Sequence, residues 1–148
     1  MKAAKVIEVS DGDTLKADYF GLVIVLRVSC IDAPELGKNL GKEAKKFMES
    51  LVLEKQINFQ ELRKDSYNRY IADCYIEGKR LDELMVSNGL AWHWAKYSNN
   101  IEVLDKLQAE AQKQELNIWQ PEHIEARKLE LLRKFAINFL DEKLSEEL

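Results

Sequence analysis

An arginine and two carboxylates stand close together in the stretch 26–35, and their chemistry suggests a site for a cation and an anion. Arg27 lies in an apolar run, while Asp32 and Glu35 flank the turn that follows it. Pro34 lacks an N–H and biases the residue before it towards an extended conformation, so the strand must end here. Carboxylates bind hard metal ions and a guanidinium binds phosphate, so this turn could serve both. Taken alone, the stretch favours the alternative of solvated charges on a proline turn.

A second acidic turn ends at Asp13 and supplies a partner for Asp32. The residues after it alternate over 14–19, Gly21 marks a hairpin, and a longer strand runs back over 22–31. Since hairpin partners are antiparallel, the beginning of the first strand should lie beside the end of the second. The carboxylates of Asp13 and Asp32 should therefore meet, and a calcium or magnesium ion between them would offset their repulsion. Two unrelated surface turns remain the alternative.

Short strands and amphipathic helices account for the rest of the chain. Strands are predicted at 6–9, 14–19, 22–31, from Ile57, and at 71–76, and helices at about 42–53, 81–85, 101–116 and from Pro121. This order, with glycines at the turns, fits a five-stranded Greek-key barrel better than a parallel sheet. We therefore predict an α+β fold, an OB-fold β-barrel over residues 1–119 with about three helices packed on it. A C-terminal helical extension is predicted over 120–148.

Composition limits the possible functions. The net charge of −4 is not that of a typical nucleic-acid-binding protein, so a polyanion site would be local or would depend on a metal. No apolar run approaches the roughly 20 residues that span a bilayer, so no membrane contact is expected. Cys30 and Cys74 lack metal-ligand spacing, and buried free thiols are favoured over a disulfide. The sequence shows no signal peptide after Met1, so the protein is cytoplasmic as given, or exported if a signal precedes it.

Three motifs in order resemble the staphylococcal nuclease (thermonuclease) family. They are Asp-Gly-Asp-Thr at 11–14, Leu-Arg-Val-x-x-Ile-Asp-Ala-Pro-Glu at 26–35 and Asp-x-Tyr-x-Arg at 65–69. Each motif alone would be weak, but together they are specific, and the resemblance covers about residues 5–119. The family implies an OB barrel that hydrolyses phosphodiester bonds of DNA and RNA with Ca²⁺. It also implies low sequence specificity and 3′-phosphate ends.

The resemblance implies a calcium site at the two acidic turns. By matching position, Asp13 and Asp32 bind the ion through their carboxylates and Ala33 binds it through its backbone carbonyl. Staphylococcal nuclease itself has a threonine at the position of Ala33, so a main-chain ligand is kept but a hydroxyl contact is not. Glu35 matches the carboxylate that is proposed as general base for the attacking water.

The resemblance also implies phosphate and base contacts. Arg27 and Arg69 match the pair that binds the scissile phosphate, where negative charge increases during attack. Tyr67 matches a tyrosine that hydrogen-bonds the terminal phosphate. The family's base-stacking tyrosine corresponds to either Trp94 or Tyr97, and for Trp94 packing of the helices onto the barrel is an equal alternative.

These residues together predict a calcium-dependent endonuclease or exonuclease. DNA and RNA are the expected partners, single strands are preferred, and binding is expected to be weak because the chain is acidic and Ser66 replaces a family lysine. The alternative is a non-catalytic OB module that binds nucleic acid or protein. Such modules usually lose the acidic and arginine residues that are present here.

The last 29 residues lie outside the resemblance. They carry a wide apolar band from Ile124 to Leu140, which should pack on another surface. Docking on the chain's own domain is the commoner outcome, and self-association through this helix is the alternative.

Overall fold

Eight strands and four helices follow one another along residues 1–147, the part of the chain that this computed structural model describes. The strands are β1 (Lys2–Asp11), β2 (Thr14–Tyr19), β3 (Leu22–Val28), β4 (Ile31–Asp32), β5 (Gln56–Lys64), β6 (Tyr70–Ile76), β7 (Lys79–Arg80) and β8 (Trp92–His93). The helices are α1 (Gly41–Val52), α2 (Leu81–Ser87), α3 (Ile101–Lys113) and α4 (Pro121–Glu147). Short 3-10 turns occupy Ala95–Tyr97 and Asn117–Trp119.

Five of the strands close into a barrel in the order β3-β2-β1-β5-β6. Neighbours in this order are antiparallel, and a parallel pairing of β3 with β6 closes the ring, with Leu26 opposite Tyr70 and Val28 opposite Ala72. Closure removes the free edges that an open sheet would expose. The predicted α+β fold with a five-stranded OB-like barrel is therefore confirmed.

The core is the apolar interior of this barrel with the helices that cover it. Alternate residues of the strands point inward, so that Val6, Leu15, Leu26 and Ile57 are fully buried. Helix α1 contributes its buried residues at spacings of three and four, the spacing of one helix face, and α2 and α3 add further apolar side chains. Both cysteines are buried and free, as predicted.

The predicted strand over 22–31 is wrong in its last three residues. Strand β3 ends at Val28, because Cys30 has a φ of 70°, which a continuing strand does not allow. The chain then forms β4, which leaves the barrel and pairs with β8. The backbone N–H of Trp94 donates to the carbonyl of Cys30 at 2.8 Å and fixes this change of direction. Asp32 is therefore placed beside the barrel instead of in its wall.

Helix α4 differs from the other helices, since none of its 27 residues is buried. His123, near its beginning, hydrogen-bonds the side chain of Asn39 at 2.9 Å, and Glu130 accepts the backbone N–H of Asn39 at 3.2 Å. At the beginning of α4, Ile124 is half-buried, whereas the apolar residues over 129–140 are exposed. The expected docking of the apolar band on the chain's own domain is therefore seen only at its beginning. Among residues 1–147, no helix combines the length and apolar character that crossing a membrane requires.

Candidate active site

Arg27 is the centre of the site. It is buried at the end of β3, where its Nη1 donates to the carbonyl oxygens of Val28 at 2.7 Å and Ile31 at 2.9 Å. Its Nη2 lies 3.3 Å from Oδ2 of Asp13 and 3.8 Å from Oδ1 of Asp32. The chain after β3 thus folds back over the guanidinium, and one arginine brings the two acidic turns together.

Asp13 is a buried carboxylate in the turn between β1 and β2. Its Oδ1 accepts the hydroxyl of Thr14 at 2.9 Å, and its Oδ2 accepts the backbone N–H of Ala33 at 2.8 Å. Burial raises the pKa of Asp13 to about 7, and the Arg27 guanidinium only partly offsets that rise. A further cation beside Asp13 would therefore stabilise its charged form.

Gly12 sets the distance between the two acidic turns. A Cβ at this position would lie 2.8 Å from the Cβ of Ala33 and 2.9 Å from the Cβ of Ala44 in α1, which is closer than real side chains approach. Ala33 is itself buried in this contact. The small side chains therefore allow the turn that carries Asp13 to lie directly against the end of β4. Nothing in the motif at 11–14 indicates this packing role.

Asp32 is half-buried and lies between two guanidinium groups. Burial raises the pKa of its carboxyl, and the charges of Arg27 and Arg127 act in the opposite direction. Nη2 of Arg127, from α4, lies 3.7 Å from Oδ2 of Asp32. Sequence reasoning missed Arg127, which lies in no motif and reaches the site only because α4 packs there.

A cleft of about 510 Å³ lies beside Arg27 and Asp32, and Arg69 is part of its wall. Nε of Arg69 donates to Oδ2 of Asp65 at 2.8 Å, and Oδ1 of Asp65 accepts the backbone N–H groups of Tyr67 and Arg69. Burial acts to raise the pKa of Asp65, but these hydrogen bonds outweigh it and lower the pKa. The pairing orients Arg69, and a guanidinium with five N–H donors has others to offer a ligand.

The predicted aromatic contacts divide between two places. Trp94 lines the cleft with its side chain 45% exposed, and its ring lies 5.9 Å from Cζ of Arg27. Tyr67 lies in the same cleft and is 79% exposed. Tyr97 lies outside that cleft, in a small pocket behind Trp94, where Cζ of Arg63 lies 4.8 Å from its ring. Trp94 thus lies in the cleft with Arg27, whereas Tyr97 lines only the small pocket, whose wall Arg27 also forms.

Glu35 follows Asp32 by three residues, after the turn at Pro34. It is exposed and lines a separate groove of about 550 Å³ against α4. Its carboxylate is near enough to contribute to the raised pKa of Asp32. At the beginning of α1, a Cβ on Gly41 would overlap the carbonyl oxygen of Glu35, so a glycine is needed for this turn to lie on the helix. Glu35 and Arg69 thus line two separate depressions, and Asp32 lies in the one that contains Arg69.

A buried polar network behind the site was also missed. Asp73, in the barrel strand β6, accepts hydrogen bonds from the hydroxyl of Ser29, from Nη2 of Arg80 at 3.1 Å and from Nδ2 of Asn99 at 2.8 Å. Arg80 also pairs with Asp82 at 2.9 Å. The network joins the turn after β3 with β6, α2 and the segment before α3, and the signal in the sequence was a carboxylate within an apolar strand.

The donor set at the acidic turns fits a hard divalent cation. Asp13 and Asp32 offer carboxylate oxygens, and the charge of the buried Asp13 is only partly compensated by Arg27. Across residues 1–147, no three His, Cys, Asp or Glu side chains converge as a ligand group. The two carboxylates would therefore need backbone oxygens, water or substrate phosphate to complete the coordination, as Ca²⁺ and Mg²⁺ sites commonly do.

Comparison with known proteins places the chain in a family. The family described as "Staphylococcal nuclease homologue" matches residues 25–121. An "Uncharacterized endonuclease" of Haemophilus influenzae is 34% identical over 116 residues, which cover 78% of this chain and 65% of that protein. A protein of the same description from Escherichia coli is 33% identical, with 78% and 75% covered. A "Staphylococcal-like nuclease" of Arabidopsis thaliana is 35% identical, over 64% of this chain and 29% of that protein. This chain therefore belongs to the staphylococcal nuclease homologue family.

Proposed function

We propose that this protein is a calcium-dependent nuclease that hydrolyses phosphodiester bonds of DNA and RNA with low sequence specificity and leaves 3′-phosphate ends. The observation that carries the proposal is the convergence of Asp13 and Asp32 on Arg27, next to a cleft that contains Arg69. Relatives named as endonucleases and as a nuclease support phosphodiester hydrolysis as the reaction class.

Arg27 and Arg69 bind the scissile phosphate in this proposal. Attack on phosphorus places more negative charge on the phosphate oxygens, and preorganised guanidinium donors stabilise that charge. Arg27 is preorganised by its two backbone carbonyl acceptors, and Arg69 by its pair with Asp65. A lysine at either position would lose the planar, bidentate geometry that suits a phosphate.

Asp13, Asp32 and the backbone carbonyl of Ala33 hold the calcium ion, which when bound supplies Lewis-acid stabilisation of the same phosphate oxygens. Glu35 takes a proton from the attacking water at its carboxylate. Glu35 and Arg69 line separate depressions, so in this proposal the water approaches the phosphate from the Glu35 groove and the leaving group departs on the Arg69 side. This layout suits in-line displacement.

Single strands are the preferred substrate in this proposal. The exposed rings of Tyr67 and Trp94 lie in the cleft, and unpaired bases can stack on such rings whatever their sequence. The net charge of −4 weakens attraction to long polyanions, so binding is weak and salt-sensitive.

Digestion of single-stranded DNA with calcium and with a chelator tests the proposal. We expect cleavage only with calcium, and its loss in Glu35→Gln and Arg69→Ala. Lys128→Gln is the control, since Lys128 is an exposed cation of α4 that pairs with Glu125. Products should resist 3′ extension by a polymerase until a phosphatase removes the end group. Activity in chelator would contradict the proposal, while binding without product in either condition would indicate a non-catalytic binding module.

A further inference from the structure

A positively charged groove lies between α4 and the loop that follows Glu35. Its volume is about 550 Å³. Its charged lining comprises four cations and two carboxylates, namely Lys38, Arg127, Arg133 and Lys134 with Glu35 and Glu130. The chain as a whole has a net charge of −4. The groove is thus a local region of the opposite sign, directly beside the carboxylates of the site.

Arg127 is oriented but not enclosed at the end of this groove nearest Asp32. Its guanidinium stacks on the ring of Trp92, with Cζ 4.0 Å from the ring centroid. Its two terminal nitrogens lie 3.7 Å from a carboxylate oxygen of Asp32 and 3.7 Å from one of Glu130. These separations exceed those of close charge-assisted hydrogen bonds. A guanidinium stacked in this way keeps N–H donors available for a stronger acceptor.

The other cations continue along the helix in the same groove. Arg133 and Lys134 both line the groove further along α4. Arg127 and Lys134 are seven residues apart, which is about two helical turns or roughly 10 Å. The positive charges therefore follow the groove away from the site instead of clustering at one point.

We infer that α4 extends the substrate-binding surface beyond the family domain. Arg127 binds the phosphate next to the scissile one, and Arg133 and Lys134 bind further phosphates of the same strand. This inference rests on the proposed function, because it assumes a nucleic-acid strand at Arg27. It assigns a role to a helix that the family match, which ends at residue 121, barely reaches.

Equilibrium binding of a fluorescent single-stranded oligodeoxynucleotide to the full chain tests the inference, in chelator so that no turnover occurs. Arg127→Gln and Lys134→Gln should each raise the Kd about 3- to 10-fold. Each should also reduce the slope of log Kd against log salt by about 0.7, the value for one lost phosphate contact on a single strand. Lys128→Gln removes the same charge from the same helix outside the groove and should leave the slope unchanged.

Arg127→Lys separates charge from folding, because it should restore the salt slope while giving up part of the affinity. Groove variants that behave like Lys128→Gln would overturn the inference. So would an Arg127→Gln variant that binds the oligonucleotide normally but binds calcium more tightly in calorimetry, since Arg127 would then only compete for Asp32. The digestion assay with calcium is a separate readout. If the unmodified chain binds the oligonucleotide through the groove but does not cleave it, the proposed function is refuted and the phosphate contact of Arg127 is not.

Discussion

The barrel and helix α4 use their apolar residues in opposite ways. In the barrel, side chains such as Leu15 and Leu26 are fully buried, and the strands leave no free edge. Along α4 no residue is buried, and eight large apolar side chains are 49–70% exposed. The barrel therefore stabilises itself, whereas α4 presents a surface that is unusually apolar for one chain. The site lies where the two regions meet, so fixed residues of the barrel face a cation of the helix.

A phenylalanine-to-alanine substitution should show the largest difference in stability between the barrel and α4. Phe59 in β5 is 2% exposed and packs edge-on against Tyr19, whereas Phe135 in α4 is 70% exposed. Phe59→Ala should lower the free energy of unfolding by about 3–5 kcal/mol through lost burial and a cavity. Phe135→Ala should change it by less than about 0.5 kcal/mol. Urea unfolding measures both, and a comparable loss in the two variants would show that α4 belongs to the cooperative core.

An arginine-to-lysine substitution should lower the cleavage rate in the barrel but mainly the substrate affinity in α4. Arg27→Lys keeps a positive charge for Asp13 and Asp32, so the fold should persist, but it loses the planar donors at the phosphate. The rate of oligonucleotide cleavage with calcium should fall about 100- to 1,000-fold. Arg127→Lys should change mainly the affinity, by a few-fold. Initial rates over a range of substrate concentrations separate the two effects, and similar losses of kcat would contradict the division.

Gly12→Ala tests whether the barrel fixes the separation of its two acidic turns. The added methyl group overlaps the side chains of Ala33 and Ala44, so unfolding should become easier by about 1–3 kcal/mol. Cleavage should also fall, because Asp13 moves relative to Asp32. Gly21→Ala is the matched control, since Gly21 has open space but a φ of 86°. That variant should lose about 1–2 kcal/mol and keep its activity per folded molecule. If Gly12→Ala keeps the same activity per folded molecule as Gly21→Ala, the close packing at Gly12 is not needed for cleavage.

The regions also differ in how far their roles could be predicted from the sequence. Strand periodicity and motif spacing predicted the barrel and the residues that meet at Arg27, because local pattern determines which face each residue occupies. The break at Cys30 was missed, since the alternation continues through it and the pairing of β4 with β8 is set by residues 60 positions away. Arg127 was missed because periodicity does not distinguish one helix arginine from another. Its contact with Asp32 depends on how α4 packs.

The buried carboxylate of Asp13, in the barrel, predicts that the stability of the fold depends on pH. Its pKa rises from 3.8 to about 7 on folding, so the native state binds the proton more tightly. Stability should therefore fall as the pH rises from about 4 to about 7. Asp13→Asn should remove this slope, so its gain in stability over the native chain in chelator should be larger at pH 8 than at pH 5. Urea unfolding at pH 5 and pH 8 measures the difference. A gain that is equal at both pH values would show that charge burial is not its cause.

Substitutions in the most apolar part of α4 should have the smallest effect on stability. Their effect should instead be on the molecular mass of the protein in solution. We expect the full chain to self-associate through α4, because Leu132 and Phe135 are 62% and 70% exposed on one helix. Leu132→Asp with Phe135→Asp should leave the barrel's unfolding free energy unchanged and shift the sedimenting species to a single chain. As a control, Glu125→Ser with Lys128→Ser should change neither the unfolding free energy nor the sedimenting mass. A single chain before and after substitution would leave α4 an extension of the substrate groove without a pairing role.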